Sequence, residues 1–403
     1  MRIARVLTRL NLGGPARQAL ALDPVLLDRG HEVRVFVGRP EPGEGDLFEA
    51  FLERGIDVRR VPELGRGPHP WRDLRARARL ARCFAEFAPE VVHTHAAKAG
   101  ALGRWAARRA GRGTALVHTF HGHVLEGYFP KLVSRRLVAI ERRLAARTDR
   151  VLAVSEATAS DLDRLGVVAR DRITVVPPGV ELDRLGELPA LDEGRCAEHV
   201  ELRRSLGLGE RDLMLLLLGR LAEVKRPELA LQVFERLSTQ RTDLFLAVVG
   251  DGALRTTLEA LRAELPTAAR SRVHLVGAEH DVLRWHAAAD LLINTSRSEG
   301  LPVSLIEAAA AARPAVAFDV GGIGELLEDG RGGSLVDPEG GSAARIERFA
   351  SAVERWLGDP GGRARAGRAA RAAALERHRP QALADRLERV YLEVASERRR
   401  LAG

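Results

Sequence analysis

A chain of 403 residues, 45% hydrophobic and 29% charged, is too long for one ordinary core, and two domains of about 180–200 residues are expected. No apolar run reaches the ~18 residues of a membrane span, and Arg2, Arg5 and Arg9 interrupt the first apolar stretch, unlike a signal sequence. Two cysteines, Cys83 and Cys196, suit a reducing compartment, so the expected location is the cytoplasm, free or peripheral at the inner face of the membrane.

The net charge of +8 is uneven. Residues 1–185 hold 32 Lys+Arg against 22 Asp+Glu, a surplus of +10, and the remainder is at −2. A basic half suits an anionic partner, either lipid headgroups or a phosphorylated acceptor. Nucleic acid is excluded as a partner, because aromatic residues are 4% of the chain and neither zinc-finger spacing nor an RNP-type strand occurs.

In chain order, strands are expected at 2–10, 32–37, 57–61, 90–95, 115–121, 150–154 and 173–176. Helical patterns fall between them at 15–29, 45–54, 70–88, 98–110, 131–148 and 156–165. Repeated βα units of this kind mean a parallel sheet covered on both faces. Pro177-Pro178-Gly179 stops the last strand, and 186–199 reads as a linker between domains at 1–185 and 200–379. A second series has strands at 214–220, 244–249, 273–276, 291–294, 315–318 and 333–336. A last helix over 380–403 is expected to pack back on the first domain. The fold class is therefore α/β: two facing Rossmann-like, doubly wound domains, with ligands in a deep cleft at the carboxyl ends of the strands.

The block SRSEGLPVSLIEAAAAARPAVAFDVGGIGELL at 296–327 is the most informative. Glu299 stands on a strand-to-helix loop, where its carboxylate can accept hydrogen bonds from sugar hydroxyls. Glu307 falls two turns along the next helix, about 12 Å further by helical rise, a separation that suits two carboxylates gripping opposite ends of a nucleotide sugar. Gly321 and Gly322, followed by Ile323, make a turn whose N–H groups can approach a diphosphate. In LLLLGRLAEVKRPELAL at 215–231, Arg220 ends a buried strand and Lys225 precedes a helix, two cations placed where a leaving diphosphate develops charge. A third turn, VVGDG at 248–252, lies on the same edge.

In the first half, Gly13 and Gly14 lie between the first strand and a helix, as an acceptor-approach loop or simply a tight turn. They lack the full GxGxxG of a dinucleotide site. His93, His95, His118, His121 and His123 close the fourth and fifth strands. A zinc site is one reading of them, but no acidic or cysteine partner stands at a matching spacing, so no metal is expected. His121, followed by Gly122, is the one assigned to the cleft, and Lys98 starts the next helix within reach of an anionic acceptor. Arg72, Arg75, Arg79 and Arg82 lie on one expected helix, and Arg135, Arg136, Arg142, Arg143, Arg147 and Arg150 decorate the segment around another. They form a solvated face or one that docks on anionic lipid.

These residues resemble the family-4 retaining glycosyltransferases of GT-B fold over nearly the whole chain, most closely the capsule and exopolysaccharide branch. Glu299 and Glu307 look like that family's paired glutamates, Arg220 and Lys225 its diphosphate-binding cations. Gly321-Gly322-Ile323 is similar to its second glycine loop, Gly13-Gly14 to its first, and His121 to its cleft histidine. Gly324 departs from the Pro or Thr commoner at its position. The resemblance implies a nucleotide-sugar donor, UDP-linked, and a glycan, lipid-linked or small-molecule acceptor, with no resident cofactor. Nucleotide-sugar 2-epimerases share the tandem fold but lack the glutamate pair followed by GGIGE. A non-catalytic relic would be expected to lose Glu299 or Arg220. A pyridoxal-phosphate phosphorylase would need a second-domain lysine other than Lys225.

Overall fold

The computed structural model describes all residues except 42–44, 108–112, 123–124, 127–129, 196, 329–330 and 403. The chain forms two compact units, Met1–Val180 with Arg379–Gly403, and Glu181–His378.

The first unit is built on β1 (Arg2–Leu7), β2 (Glu32–Val37), β3 (Asp57–Arg60), β4 (Val91–His95), β5 (Ala115–Phe120), β6 (Arg150–Ala153) and β7 (Ile173–Val175). Its order is β3-β2-β1-β4-β5-β6-β7, every pair parallel. The period of two along a strand divides the core into two layers. Ile3 and Leu7 of β1 join Val33, Val35 and Val91 under the helices Gly14–Asp28 and Pro380–Ala402. Ala4 and Val6 point the other way, with Phe36, Leu80 and Leu102. The helix Pro380–Ala402, from the far end of the chain, buries Leu383, Leu387, Tyr391 and Val394 in the first layer.

The second unit comprises β8 (Leu213–Leu218), β9 (Leu244–Val249), β10 (Val273–Gly277), β11 (Leu291–Asn294), β12 (Ala315–Phe318) and β13 (Gly333–Val336), in the order β10-β9-β8-β11-β12-β13. Its strands are near-continuous aliphatic runs, as strands covered on both faces must be. Leu215, Leu246, Ile293 and Val316 pack with Phe234 and Phe349 on one side, and Met214, Ala247 and Ala317 with Trp285 and Leu305 on the other.

The boundaries differ from the sequence reading in an instructive way. The units part after Val180 and His378, and 186–199 belongs to the second unit instead of hanging between two. The carbonyl of Leu188 accepts from Arg371 and that of Pro189 from the buried Arg313. Helices Asp183–Gly186 and Ala197–Ser205 take in the two ends of that stretch, and the partners of the Leu188 and Pro189 carbonyls lie more than 100 residues away.

An ion pair ties two helices over the second layer of the first unit. Arg104, on the helix Ala97–Ala107, reaches Glu141 on the helix Lys131–Ala145 at 2.5 Å, with the two side chains 1% and 7% exposed. Glu141→Ala strands a buried guanidinium and is expected to destabilise the first unit by about 3–5 kcal/mol. The double variant Arg104→Met, Glu141→Leu, which removes both charges, is expected to recover most of that loss. Urea-dependent hydrogen exchange in peptides of the first unit measures both.

Candidate active site

In each sheet the strand order reverses beside the first strand, between β1 and β4 and between β8 and β11. At such a point the connections leave in opposite directions and open a crevice at the carboxyl ends. In the second unit that crevice is a pocket whose walls include Leu217, Gly219, Arg220, Lys225, Asn294 and Ser296. Arg220, just past β8, is exposed. Lys225 Nζ lies 2.5 Å from Glu299 Oε1, the lysine side chain 28% exposed and the glutamate 9%. Ser296 Oγ donates to the same oxygen at 2.6 Å, and Asn294 Nδ2 approaches it at 3.5 Å. Among the described residues, these three contacts of the carboxylate all fall on Oε1.

The loop carrying Lys225 is stitched to the one carrying Glu299. Thr295 Oγ1 donates to the carbonyls of Lys225 and Arg226, Arg226 donates to the carbonyls of Thr295 and Ser296, and the Arg297 N–H donates to Val224. Arg226 adopts φ +46°, which a non-glycine residue tolerates only when its surroundings hold it. Here those bonds and the Phe318 ring, 4.9 Å below the guanidinium, hold it.

Gly321 has φ +57°, and a Cβ there would lie 1.8 Å from the Glu299 carbonyl oxygen. The next residue, Gly322, donates its N–H to Gly300 at 2.9 Å. The glycine turn thus clamps the backbone of Glu299. The helix that follows, Ile323–Leu327, has five residues, and the Ile323 side chain is fully buried. Glu307 lies on the helix Val303–Ala310, one turn in instead of two, because 299–302 is not helical and helical rise does not span it. It is buried, with its Oε2 3.7 Å from Nε2 of the fully buried His286. An ordinary helix-surface glutamate would not be.

The histidines of the first unit form a chain of contacts. Arg5 shares the layer of Ile3 and Leu7, where a charge is least expected, and pairs with Asp23 at 2.7 Å, both essentially unexposed. Its Nη1 reaches His95 Nε2 at 3.0 Å and His93 Nδ1 at 3.3 Å. His95 Nδ1 meets His121 Nε2 at 2.9 Å. Tyr391 Oη lies 2.6 Å from His93 Nδ1, and Thr119 Oγ1 2.7 Å from its Nε2. His121 itself stands one residue past β5, partly exposed. Packing around the ring, and then the Arg5 charge, push its pKa down to about 4. Burial first, and then neighbouring cationic and histidine groups, hold His93, His95 and His118 well below the ordinary value.

The other expected residues are more scattered. Gly13 caps the helix Gly14–Asp28 at the carboxyl end of β1. Lys98 is taken up by Asp73 at 2.7 Å and by the Gly67 carbonyl, so its charge is already paired. His123 and Cys196 lie outside the described residues. Among the described residues, no group of three His, Cys, Asp or Glu side chains is placed to hold a metal ion.

The profile of Glycosyltransferase Family 4 matches residues 12–184, and that of glycosyl transferases group 1 matches 199–373. A D-inositol 3-phosphate glycosyltransferase of Xylanimonas cellulosilytica is 31% identical over 96% of this chain and 93% of its own. The chain belongs to glycosyltransferase family 4. A UDP-Gal:alpha-D-GlcNAc-diphosphoundecaprenol alpha-1,3-galactosyltransferase of Escherichia coli is 27% identical to this glycosyltransferase over 77% of each chain. The Anabaena protein Alr3699/HepE, solved with UDP-glucose, superposes with a TM-score of 0.78 at 21% identity, over 98% of this chain and all of that one. The two parallel-sheet units are thus those of a GT-B glycosyltransferase.

Sequence reasoning about this family-4 enzyme missed Asn294, Ser296 and Arg226 around Glu299, and Arg5, Asp23 and Tyr391 behind His121. One signal was present, since Arg5 occupies a core-facing position between Ile3 and Leu7 of an otherwise apolar strand. The clamp on Glu299 makes a direct prediction. Gly321→Ala combines a left-handed φ with a backbone clash and is expected to cost the second unit about 2–4 kcal/mol. Gly341→Ala, with nothing within 4 Å of the added carbon and an extended backbone, is the control and is expected to cost well under half of that. Urea unfolding of the two variants measures the difference.

Proposed function

We propose that this glycosyltransferase moves a sugar from a UDP-linked donor to a phosphorylated acceptor with retention at the anomeric carbon, in polysaccharide or glycolipid assembly. The observation that carries the reading is the Arg220, Lys225 and Glu299 set at the strand-order reversal of the second unit. The bond from the sugar C1 to the β-phosphate oxygen breaks, and a bond from C1 to the acceptor oxygen forms on the same face. The acceptor's proton passes to the departing diphosphate. Arg220 and Lys225 steady that diphosphate, with Lys225 shifting part of its charge from Glu299 to the phosphate. Glu299 orients the transferred sugar with the carboxylate edge that Lys225 and Ser296 do not occupy. Glu307 binds the ribose hydroxyls, and its burial supports a role in holding a ligand, since a solvated glutamate would stay exposed. His121 hydrogen-bonds the sugar near C1, and the glycine turns at Gly13-Gly14 and Gly321-Gly322 let the ligands approach backbone.

Support for a phosphorylated acceptor comes from the surplus of +10 over residues 1–185. The names of both relatives above also include an acceptor that carries phosphate. Arg220→Ala and Lys225→Ala are each expected to lower kcat by roughly 10²–10³, the usual loss when a donor to a developing anion is removed. Glu299→Ala should lower kcat with little change in UDP affinity, and Glu307→Ala should weaken UDP binding. Transfer assays with calorimetry on UDP separate these effects. Near wild-type turnover in either folded cation variant, or equal loss of UDP affinity in both glutamate variants, contradicts the assignment.

Peripheral docking on anionic lipid is part of the same reading. Leu132, Val133 and Ile140 are 63%, 40% and 37% exposed on the helix Lys131–Ala145, interleaved with exposed Arg135, Arg136 and Arg143. Trp71 and Leu74 are 74% and 48% exposed on the helix Pro70–Phe87. Several of the arginines counted from sequence are committed within the fold: Arg142 to the Gly166 and Leu165 carbonyls, Arg79 to Glu63 and Arg72 to Pro62. Each free arginine near an anionic surface contributes about 1 kcal/mol. Charge reversal of Arg135, Arg136 and Arg143 is expected to abolish low-salt sedimentation with anionic vesicles. Binding that survives it, or no binding by the wild type, leaves a merely solvated face.

A further inference from the structure

Burying a guanidinium in the central strand of a parallel sheet, among Ile3, Leu7 and Val35, is costly unless it is paired and fully hydrogen-bonded. Asp23 supplies the pairing. Arg5 Nη1 is directed at two histidines, and one of these leads outward to His121. We propose that Arg5 and His95 are positioning residues that fix the tautomer of His121, so that it meets the transferred sugar as a hydrogen-bond donor through Nδ1.

The argument is one of donors and acceptors. Arginine has five N–H groups and no acceptor. The contact of 3.0 Å between Arg5 Nη1 and His95 Nε2 therefore requires Nε2 to accept. A neutral imidazole with one accepting nitrogen carries its proton on the other. His95 Nδ1 then donates to His121 Nε2 across 2.9 Å, and His121 is left with its proton on Nδ1. This is the tautomer that histidine disfavours in water.

The geometry of His95 is itself held. Its ring lies 4.1 Å from that of His93, centroid to centroid. His93 accepts at Nδ1 from Tyr391 and Arg5, which leaves its Nε2–H to donate to Thr119. The order therefore runs from Asp23 through Arg5 and His95 to the partly exposed ring of His121, with Tyr391 closing the far side. A layer that needed only filling is met elsewhere on this face by valine and leucine.

The inference rests on the proposed sugar contact of His121, and the test separates the two. Two-bond proton–nitrogen correlation spectra of the ¹⁵N-labelled full chain at neutral pH report the tautomer of each histidine without any substrate. His121 is expected as the Nδ1–H form in the wild type. In His95→Phe it is expected to revert toward Nε2–H, with kcat falling about tenfold or more and the donor KM changed by less than about twofold. His95→Gln, whose amide can accept from Arg5 and donate to His121, should keep the tautomer and most of kcat. An Nε2–H form of His121 in the wild type overturns the proposal even if His95→Phe fails to fold. So does an unchanged tautomer in a folded His95→Phe. A switched tautomer with unchanged kcat upholds the relay but overturns the sugar contact.

Discussion

A parallel sheet whose strand order reverses must part its connections at the reversal, and both sheets of this protein reverse beside their first strand. That single constraint decides which residues can meet. Lys225 and Glu299 are 74 positions apart, yet one follows β8 and the other β11, and these strands are neighbours. Arg5 and His95 are 90 positions apart and lie on β1 and β4, again neighbours across the reversal. The chemistry-bearing side chains of each unit therefore converge through topology, and local sequence supplies only their identities.

Convergence of this kind forces backbones together, and the price appears as glycine. The Gly219 carbonyl would sit 1.9 Å from a Cβ on Gly250, so the turn after β9 can pass the turn after β8 only without a side chain. The Gly321 turn does the same against Glu299. Where glycine is absent, as at Arg226, the strained φ is held by hydrogen bonds to the 295–296 backbone. Glu299 thus has its main chain fixed by one loop and its carboxylate by another, which is the condition for a carboxylate to hold a ligand in one orientation.

Much of the scaffold was legible. The bounds of β2, β9, β11, β12 and β13 follow from short apolar or β-branched runs flanked by charges, Gly or Pro. The runs alone do not mark where hydrogen bonding stops. β1 ends at Leu7 although Leu10 is fully buried, because the chain leaves the sheet while remaining in the core. In the candidate site, motifs with fixed spacing drew attention to Arg220, Lys225, Glu299 and Glu307, since their residue types announce anion and hydroxyl chemistry. The support behind His121 stayed hidden for a physical reason. Asp23 and Tyr391 come from helices at opposite ends of the chain, and each looks ordinary in its own helix. Only the tertiary layer that holds Ile3, Leu7 and Tyr391 gives the Arg5 charge its partners.

The two units handle charge in opposite ways, and the difference bears on the division of labour proposed for them. In the second, Lys225 and Arg220 keep solvent-facing surface, so an incoming anion can reach their charge directly. In the first, the arginine nearest the strand reversal is sealed from solvent and spent on Asp23. Its field, after burial, keeps the adjacent histidines neutral, with His121 at about 4. An imidazole so depressed stays uncharged through the physiological range. It cannot attract a phosphate as a cation there, but it can keep a fixed donor pattern across that range. A neutral, oriented hydrogen-bond donor is the group suited to a sugar hydroxyl, whereas half-exposed cations are suited to a diphosphate. Each environment thus favours the partner proposed for it.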